Sequence, residues 1–527
     1  MMMTGKQYIG GELSDKRDQV FQAVNPVTDQ KLPGEFKEAT AEEINLAAIK
    51  AEQAFHFYRK MDGEMKATFL ERIAEELLSS ENLISRCSEE TGLPEARLTG
   101  ERMRTVNQLR MFGDLLREGS WVNASIDRAI PERTPPKPDI RQMQIALGPV
   151  GVFGASNFPF AFSVAGGDTA SALAAGCPVV VKGHQAHPGT SELTAMAILR
   201  AAEATGMPDG VFSLVQGGST EVGMALVSHP LIKAIGFTGS FKGGKALYDA
   251  AVRRDEPIPV YAEMGSINPV FILPEALKTK GKEIAAGLGD SITLGSGQFC
   301  TNPGLVMVEE SSDGYSDFQE HARERISKAM ASVMLTPGIS QAYKDGTLRF
   351  SNIQGVSALA RGTAGTSVNT GTPQVFVTNS QTFLGNKELS EEVFGPSSLF
   401  VTAKDRNEII RMAQELDGHL TATIHGTEGD LKAYGQLIEI LERKVGRIII
   451  NGYPTGVEVC SSMIHGGPFP ATTDARTTSV GTLAIHRFTR PVCYQGFSQA
   501  LLPNELKDTN PSSIYRRVDG RLTQEPI

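Results

Sequence analysis

Cys300 stands in Gly295-Ser-Gly-Gln-Phe-Cys-Thr-Asn-Pro, a thiol in a glycine-rich segment just ahead of an expected helix start. A cysteine so placed is expected to be accessible and to have a lowered pKa, which makes it a nucleophile. Glu263 ends the apolar run Val260-Tyr261-Ala262. A carboxylate at the tip of a buried strand is expected to have a raised pKa and suits a general base. Asn157 follows a short apolar strand in Ala155-Ser-Asn-Phe-Pro. Its amide can donate to an oxyanion that develops on a carbonyl. His465, in Ile464-His-Gly-Gly-Pro-Phe, offers a further base or ligand. Neither a second histidine nor a carboxylate stands at metal-ligand spacing from it, so no catalytic metal is expected.

Two strand–turn–helix units have the makings of a phosphate cradle. Lys182 closes the apolar run Pro178-Val-Val-Val-Lys and is followed by Gly183, His184 and Gln185. Phe237-Thr-Gly-Ser-Phe-Lys-Gly-Gly places Gly239, Ser240 and Gly244 at a helix start after a strand. Backbone N–H groups at such a start can face a pyrophosphate, although the spacing is not GxGxxG. Glu392 and Phe394 stand in Glu391-Glu-Val-Phe-Gly-Pro, where the residue types alone indicate a turn.

These residues must be held by elements, and the periodicity changes along the chain. Residues 41–60, 65–86 and 101–118 repeat apolar residues at helical spacing. Residues 129–146 are proline-rich and then alternating, which fits an extended arm. From 147 to 265 short apolar strands alternate with helices, the pattern of a doubly wound parallel sheet. A second such region runs over 266–465, and residues 506–527 read as a polar C-terminal tail.

Composition narrows the function. The 527 residues carry 51 Lys+Arg against 60 Asp+Glu, a net charge of −9, which disfavours general nucleic-acid binding. The five widely spaced cysteines draw neither a disulfide framework nor a zinc motif, so reduced thiols in a cytoplasm are expected. No apolar run is long enough to span a membrane, and no signal peptide is visible at the N-terminus.

The order of the pieces is more specific than any one of them. Asn157 in SNFP, Lys182 in VVVK, FTGS at 237–240, Glu263 in AEMG, Cys300 in GQFC and EEVFGP at 391–396 together resemble the aldehyde dehydrogenase superfamily over nearly the whole chain. The resemblance implies an α/β fold of two related doubly wound domains, the dinucleotide-binding one from 1–128 and 147–265 and the catalytic one from 266–465. It also implies an oligomerisation β-arm from 129–146 and 480–505, hence a homodimer or homotetramer. It makes Cys300 the nucleophile, Asn157 with the Cys300 N–H the oxyanion hole, and Glu263 the base for thioester hydrolysis. Lys182 and Gln185 fall at the adenosine ribose, Gly239, Ser240 and Gly244 at the pyrophosphate, and Glu392 and Phe394 at the nicotinamide end.

Departures from the family pattern sharpen the expectation. Gln185 stands where an acid often holds both ribose hydroxyls, and with Lys182 and His184 nearby NADP is expected to be accepted, with NAD as the alternative. The stretch from Asn157 to Glu192, with His465-Gly-Gly-Pro-Phe, is most similar to the subgroup of 2-oxoglutarate semialdehyde (2,5-dioxovalerate) dehydrogenases and luminous-bacterial fatty aldehyde dehydrogenases. In the latter a histidine lies near the nucleophile, which makes His465 a second candidate base. The implied reaction is oxidation of 2,5-dioxovalerate to 2-oxoglutarate, and the alternative is oxidation of a long-chain aldehyde. Arg104 and Arg110 are candidates for the substrate carboxylate, while Phe158 with its neighbours would furnish an apolar funnel. A CoA-acylating relative would tend to lack Glu263, and a silent one would have lost Cys300 or Asn157.

Overall fold

The computed structural model describes residues 3–527. Its centre is a seven-stranded sheet in the order 260–263, 234–238, 150–153, 179–182, 212–215, 7–9, 12–14. The first five strands are parallel, and the two N-terminal ones close the edge antiparallel. The parallel strands are short runs of Val, Ile, Phe and Ala, buried on both faces because helices cover both sides. One cover includes Ala41–Tyr58, which starts at a capping box between Thr40 and Glu43.

A second seven-stranded sheet follows, in the order 357–361, 374–379, 397–403, 305–309, 270–272, 419–425, 445–450. All its strands run parallel except the first, which pairs antiparallel at the edge. Two apolar clusters, one on each face, hold it between its helices.

A third sheet stands apart from both. Its order is 489–495, 140–146, 125–127, 516–518, 521–523. The arm segment Ile140–Ala146 thus pairs along its full length with Thr489–Gln495.

Two expectations need correction, and one is made definite. The helix expected over 65–86 is two helices, Gly63–Ser79 and Leu83–Thr91, because the chain leaves the helical region at Ser80 and Asn82 adopts φ +60°. The polar C-terminal tail is docked: Arg516–Val518 and Arg521–Thr523 complete the third sheet, with Ile514 and Arg516 buried. No helix starts after Cys300; Thr301-Asn302-Pro303 leads directly into the strand Leu305–Glu309. No helix among the described residues is long and apolar enough to cross a membrane.

Candidate active site

The parallel sheet delivers its chemistry at one edge. Lys182 and Glu263 are the last residues of their strands, Asn157 lies four residues beyond Phe153, and Gly239 and Ser240 follow Thr238. Register ties them together: Lys182 is level with Phe153, and Thr238 with Glu263. The C-terminal edge of a doubly wound sheet is where ligands bind. Here it opens into a cleft of ≈ 1290 Å³ whose wall includes Lys182, Gln185, Gly239, Ser240, Glu392 and Phe394 and whose inner end holds Asn157, Glu263 and Cys300.

Ser240 caps the helix Phe241–Val252 by accepting from Gly243 N at 3.2 Å. Gly244 is required by packing rather than conformation, since a Cβ there would lie 2.7 Å from Met264 Cγ. Burial pushes the Lys182 ammonium down to about 8, and burial pushes the Glu392 carboxyl up to about 7, with one long bond from Ser266 N at 3.4 Å. His184 lines the same cleft, but burial and the stacked His187 hold it well below its ordinary value. It is therefore neutral, and the expectation that it adds positive charge beside Lys182 is corrected.

Cys300 lies in the loop between the bend at Leu294–Gly297 and the strand Leu305–Glu309. Asn268 fixes that loop through its side-chain N–H groups, which reach Cys300 O at 2.8 Å and Asn302 O at 2.9 Å. Asn157 Nδ2 donates to Gln298 O at 3.0 Å, which leaves its second N–H uncommitted two residues from the thiol. Residues 464–480 fold over the end of the Glu263 strand, anchored by Met264 N to Ala471 O and His465 N to Thr478 Oγ1. This seats His465 between the thiol and the acid. Cys300 Sγ is 3.4 Å from His465 Nε2, and that nitrogen is 3.0 Å from Glu263 Oε1. Ser479 Oγ donates to the other carboxylate oxygen at 2.7 Å.

Both expected pKa directions at this centre are reversed. Burial and then the Glu263 carboxylate push the Cys300 thiol well above its ordinary value. Burial also acts to raise Glu263, but the adjoining His465 and the Ser479 hydroxyl outweigh it and leave the carboxyl lowered. The sequence does not show this because the Cys300 shift needs the fold to bury the thiol beside Glu263, and the Glu263 shift comes from a loop some two hundred residues away along the chain.

On the other side of Cys300 lies an apolar cluster. Phe158 and Phe162 pack edge to face, and Phe158 likewise meets Phe299. Val457, Val459 and Met463 pack against the same cluster. Arg104 stacks over Phe162 with its guanidinium 5.1 Å from the ring centroid, and Phe162 in turn lies 5.9 Å from the His465 ring. Arg104 Nε donates to Val457 O at 3.4 Å, its NH1 is buried without an acceptor, and no acid pairs with it among the described residues. Arg110, six positions along the same helix, turns to a different face and is exposed near Glu71, so it is not at the site. Sequence reading missed Arg447, on the strand Val445–Ile450, which donates to Pro454 O at 2.8 Å and Gly456 O at 3.1 Å from the other side of the same loop. It also missed Asn268 and Ser479, polar residues with no motif to mark them.

A parallel sheet that offers its C-terminal edge to an extended cleft, with a buried thiol, amide and carboxylate at the end, defines an enzyme that holds a long ligand against a cysteine. The chain belongs to the aldehyde dehydrogenase family, whose model matches residues 13–472. It is 49% identical to alpha-ketoglutaric semialdehyde dehydrogenase 2 of Azospirillum brasilense over 99% of this chain and 100% of that one. It is 46% identical to alpha-ketoglutaric semialdehyde dehydrogenase of Acinetobacter baylyi, over 99% of each. Among solved structures, betaine aldehyde dehydrogenase from Staphylococcus aureus in complex with NAD+ superposes with a TM-score of 0.79 at 18% identity, covering 93% of this chain and 95% of that one.

Proposed function

We propose that this enzyme oxidises 2-oxoglutarate semialdehyde (2,5-dioxovalerate) to 2-oxoglutarate with NADP, NAD being the alternative cofactor. The observation that carries the substrate is Arg104, a half-buried guanidinium in no salt bridge whose buried NH1 has no acceptor, one phenyl ring from the imidazole that touches Cys300. A buried cation without a counter-ion is costly, and a short substrate with an aldehyde at one end and a carboxylate at the other would supply that counter-ion. The two full-length relatives named for this substrate support the same reading.

The cleft suits a dinucleotide in size and chemistry. Lys182 and Gln185 would hold the adenosine ribose, the Gly239–Gly244 turn and its helix start the pyrophosphate, and Glu392 the nicotinamide ribose, with Phe394 beside the ring. Gln185, being neutral, would not repel a 2′-phosphate, and Lys182 would attract it. When bound, the nicotinamide supplies the hydride acceptor.

The side chains then divide the work. The Cys300 proton passes to His465 Nε2, and the thiolate sulfur bonds to the aldehyde carbon. The oxygen, now negative, takes N–H donors from Asn157 and the Cys300 backbone; such a donor is typically worth about 3–4 kcal/mol. Loss of hydride leaves a thioester on Cys300. Glu263, ionised because His465 and Ser479 hold it so, takes a proton from the water that attacks the thioester carbon. The C–S bond breaks as the acid leaves, His465 Nε2 returns its proton to the Cys300 sulfur, and Glu263 releases the proton from water to solvent. The third sheet, with its edge strand Thr489–Gln495, would join subunits into a homodimer or homotetramer in the cytoplasm.

The apolar cluster of Phe158 and Phe162 beside the thiol favours a second reading, a long-chain aldehyde. Initial rates with 2,5-dioxovalerate and a C10–C14 aldehyde, for wild type and Arg104→Met, separate the two. The expected result is preference for the oxo-acid, with its kcat/KM lowered in Arg104→Met by about 1.5–3 kcal/mol, or roughly ten- to a hundredfold. Equal use of both aldehydes, or no effect of the substitution, would overturn the substrate assignment.

A further inference from the structure

Three metal-ligand chemistries meet at one point in this molecule. Cys300 Sγ, His465 Nε2 and a Glu263 carboxylate oxygen all lie within 4.8 Å of one another, and the cysteine faces the cleft. Sγ stands 3.4 Å from Nε2, and Nε2 stands 3.0 Å from Oε1. Tetrahedral zinc, with bonds of about 2.3 Å to sulfur and about 2.0 Å to nitrogen and oxygen, spaces its donor atoms about 3.3–3.6 Å apart. The Sγ–Nε2 and Nε2–Oε1 spacings already match that geometry to within a few tenths of an ångström, and the third side, within 4.8 Å, closes by about an ångström through side-chain rotation.

We propose that Cys300, His465 and Glu263 form a reversible, inhibitory Zn²⁺ site. Thiolate, imidazole and carboxylate are the ligand types zinc takes, whereas Mg²⁺ and Ca²⁺ call for oxygen alone. The carboxylate is already aimed: Ser479 holds Oε2, and Oε1 faces the imidazole, 3.0 Å from Nε2. Binding forms an S–Zn bond and releases the thiol proton to solvent, and the fourth position, toward the cleft, takes a water. His465 Nδ1 has no acceptor behind it, so the affinity is expected to fall below that of a structural zinc site, and the ion can leave. While bound, it occupies the thiol, the acid and the imidazole at once, so the sulfur cannot attack an aldehyde.

Cobalt(II) is the probe, because it reports its own coordination. Full-length, metal-free enzyme is titrated with Co²⁺ and read by absorbance, then back-titrated with Zn²⁺, with activity followed in parallel. The expected result is one equivalent per chain, with a thiolate-to-cobalt charge-transfer band and tetrahedral ligand-field bands. Activity falls in step with those bands and returns on adding a chelator. Cys300→Ala is expected to lose the charge-transfer band, and Glu263→Gln, His465→Asn and the bulkier His465→Gln to weaken binding about tenfold or more. Thermal melts and cofactor binding identify any variant that fails to fold, and the remaining ones still decide. Unchanged affinity in the folded Glu263 and His465 variants would reduce the site to a lone thiol and overturn the proposal. So would an octahedral spectrum, or a tetrahedral signal that survives in Cys300→Ala.

Discussion

Glu263 and Cys300 share a single imidazole, and that arrangement separates the two halves of the reaction. With Glu263→Gln the sulfur can still attack and hydride can still leave, but the thioester has no base to direct water at it. The variant is expected to release a burst of about one reduced cofactor per site, followed by turnover slowed by about 10²–10⁴. Rapid-quench or stopped-flow absorbance reads the burst, and a variant slow from the first turnover would place Glu263 in acylation instead. The cofactor end has its own pH window. Lys182 loses its charge above about 8 and Glu392 gains a proton below about 7. Cofactor KM is therefore expected to be lowest between those values and to rise on both sides, and Glu392→Gln should remove only the acid limb. Gln185→Glu sets a like charge near a 2′-phosphate, and at about 1–4 kcal/mol should shift the NADP-to-NAD ratio of kcat/KM toward NAD by tenfold or more. The identities of Cys300, Glu263 and Asn157 as site residues were legible because each ends or follows a motif. The proton affinities of Cys300 and Glu263 were not, because the thiol is raised by burial beside Glu263, and Glu263 is lowered by His465 and Ser479 from a loop with no regular period.

At the scale of elements, the buried pair Asp168–Arg487 locks the start of the helix Gly167–Ala175 to the turn Thr482–Phe488, with Arg487 NH1 3.0 Å from Asp168 Oδ1. Burial raises the Asp168 pKa even though Arg487 opposes the shift. Arg487→Met would leave that acid buried without its cation, at a cost of about 3–5 kcal/mol, and adding Asp168→Asn should return part of it. Chemical denaturation of the single and double variants checks this, and additive losses would show that the pair is uncoupled. Helices with clear apolar stripes were readable to within a few residues. The apolar pattern picks out only the middle of the helix Pro274–Thr293, since Gly281, Gly287 and Gly289 blur it. The strands Arg516–Val518 and Arg521–Thr523 were unreadable because each is three residues long and a charged residue, Arg516, fills a buried position of the first.

Across the whole molecule, the third sheet gathers segments from widely separated parts of the chain. Its core is small: Val122, Ile126, Met143, Leu506, Ile514 and Val518. Deleting residues 507–527 would uncover the Ser125–Asp127 strand and part of that core. The shortened protein is expected to change its oligomeric state or to aggregate, as light scattering after size exclusion would show, and an unchanged profile would make the hairpin dispensable. The pairing of Ser125 with Arg517 also bears on synthesis. A ribosome adding about 5–20 residues per second needs roughly 20–80 s to travel from one to the other. For that interval the newborn chain presents a bare strand edge to the cell, so the nascent polypeptide, more than the finished enzyme, is where a chaperone would be needed.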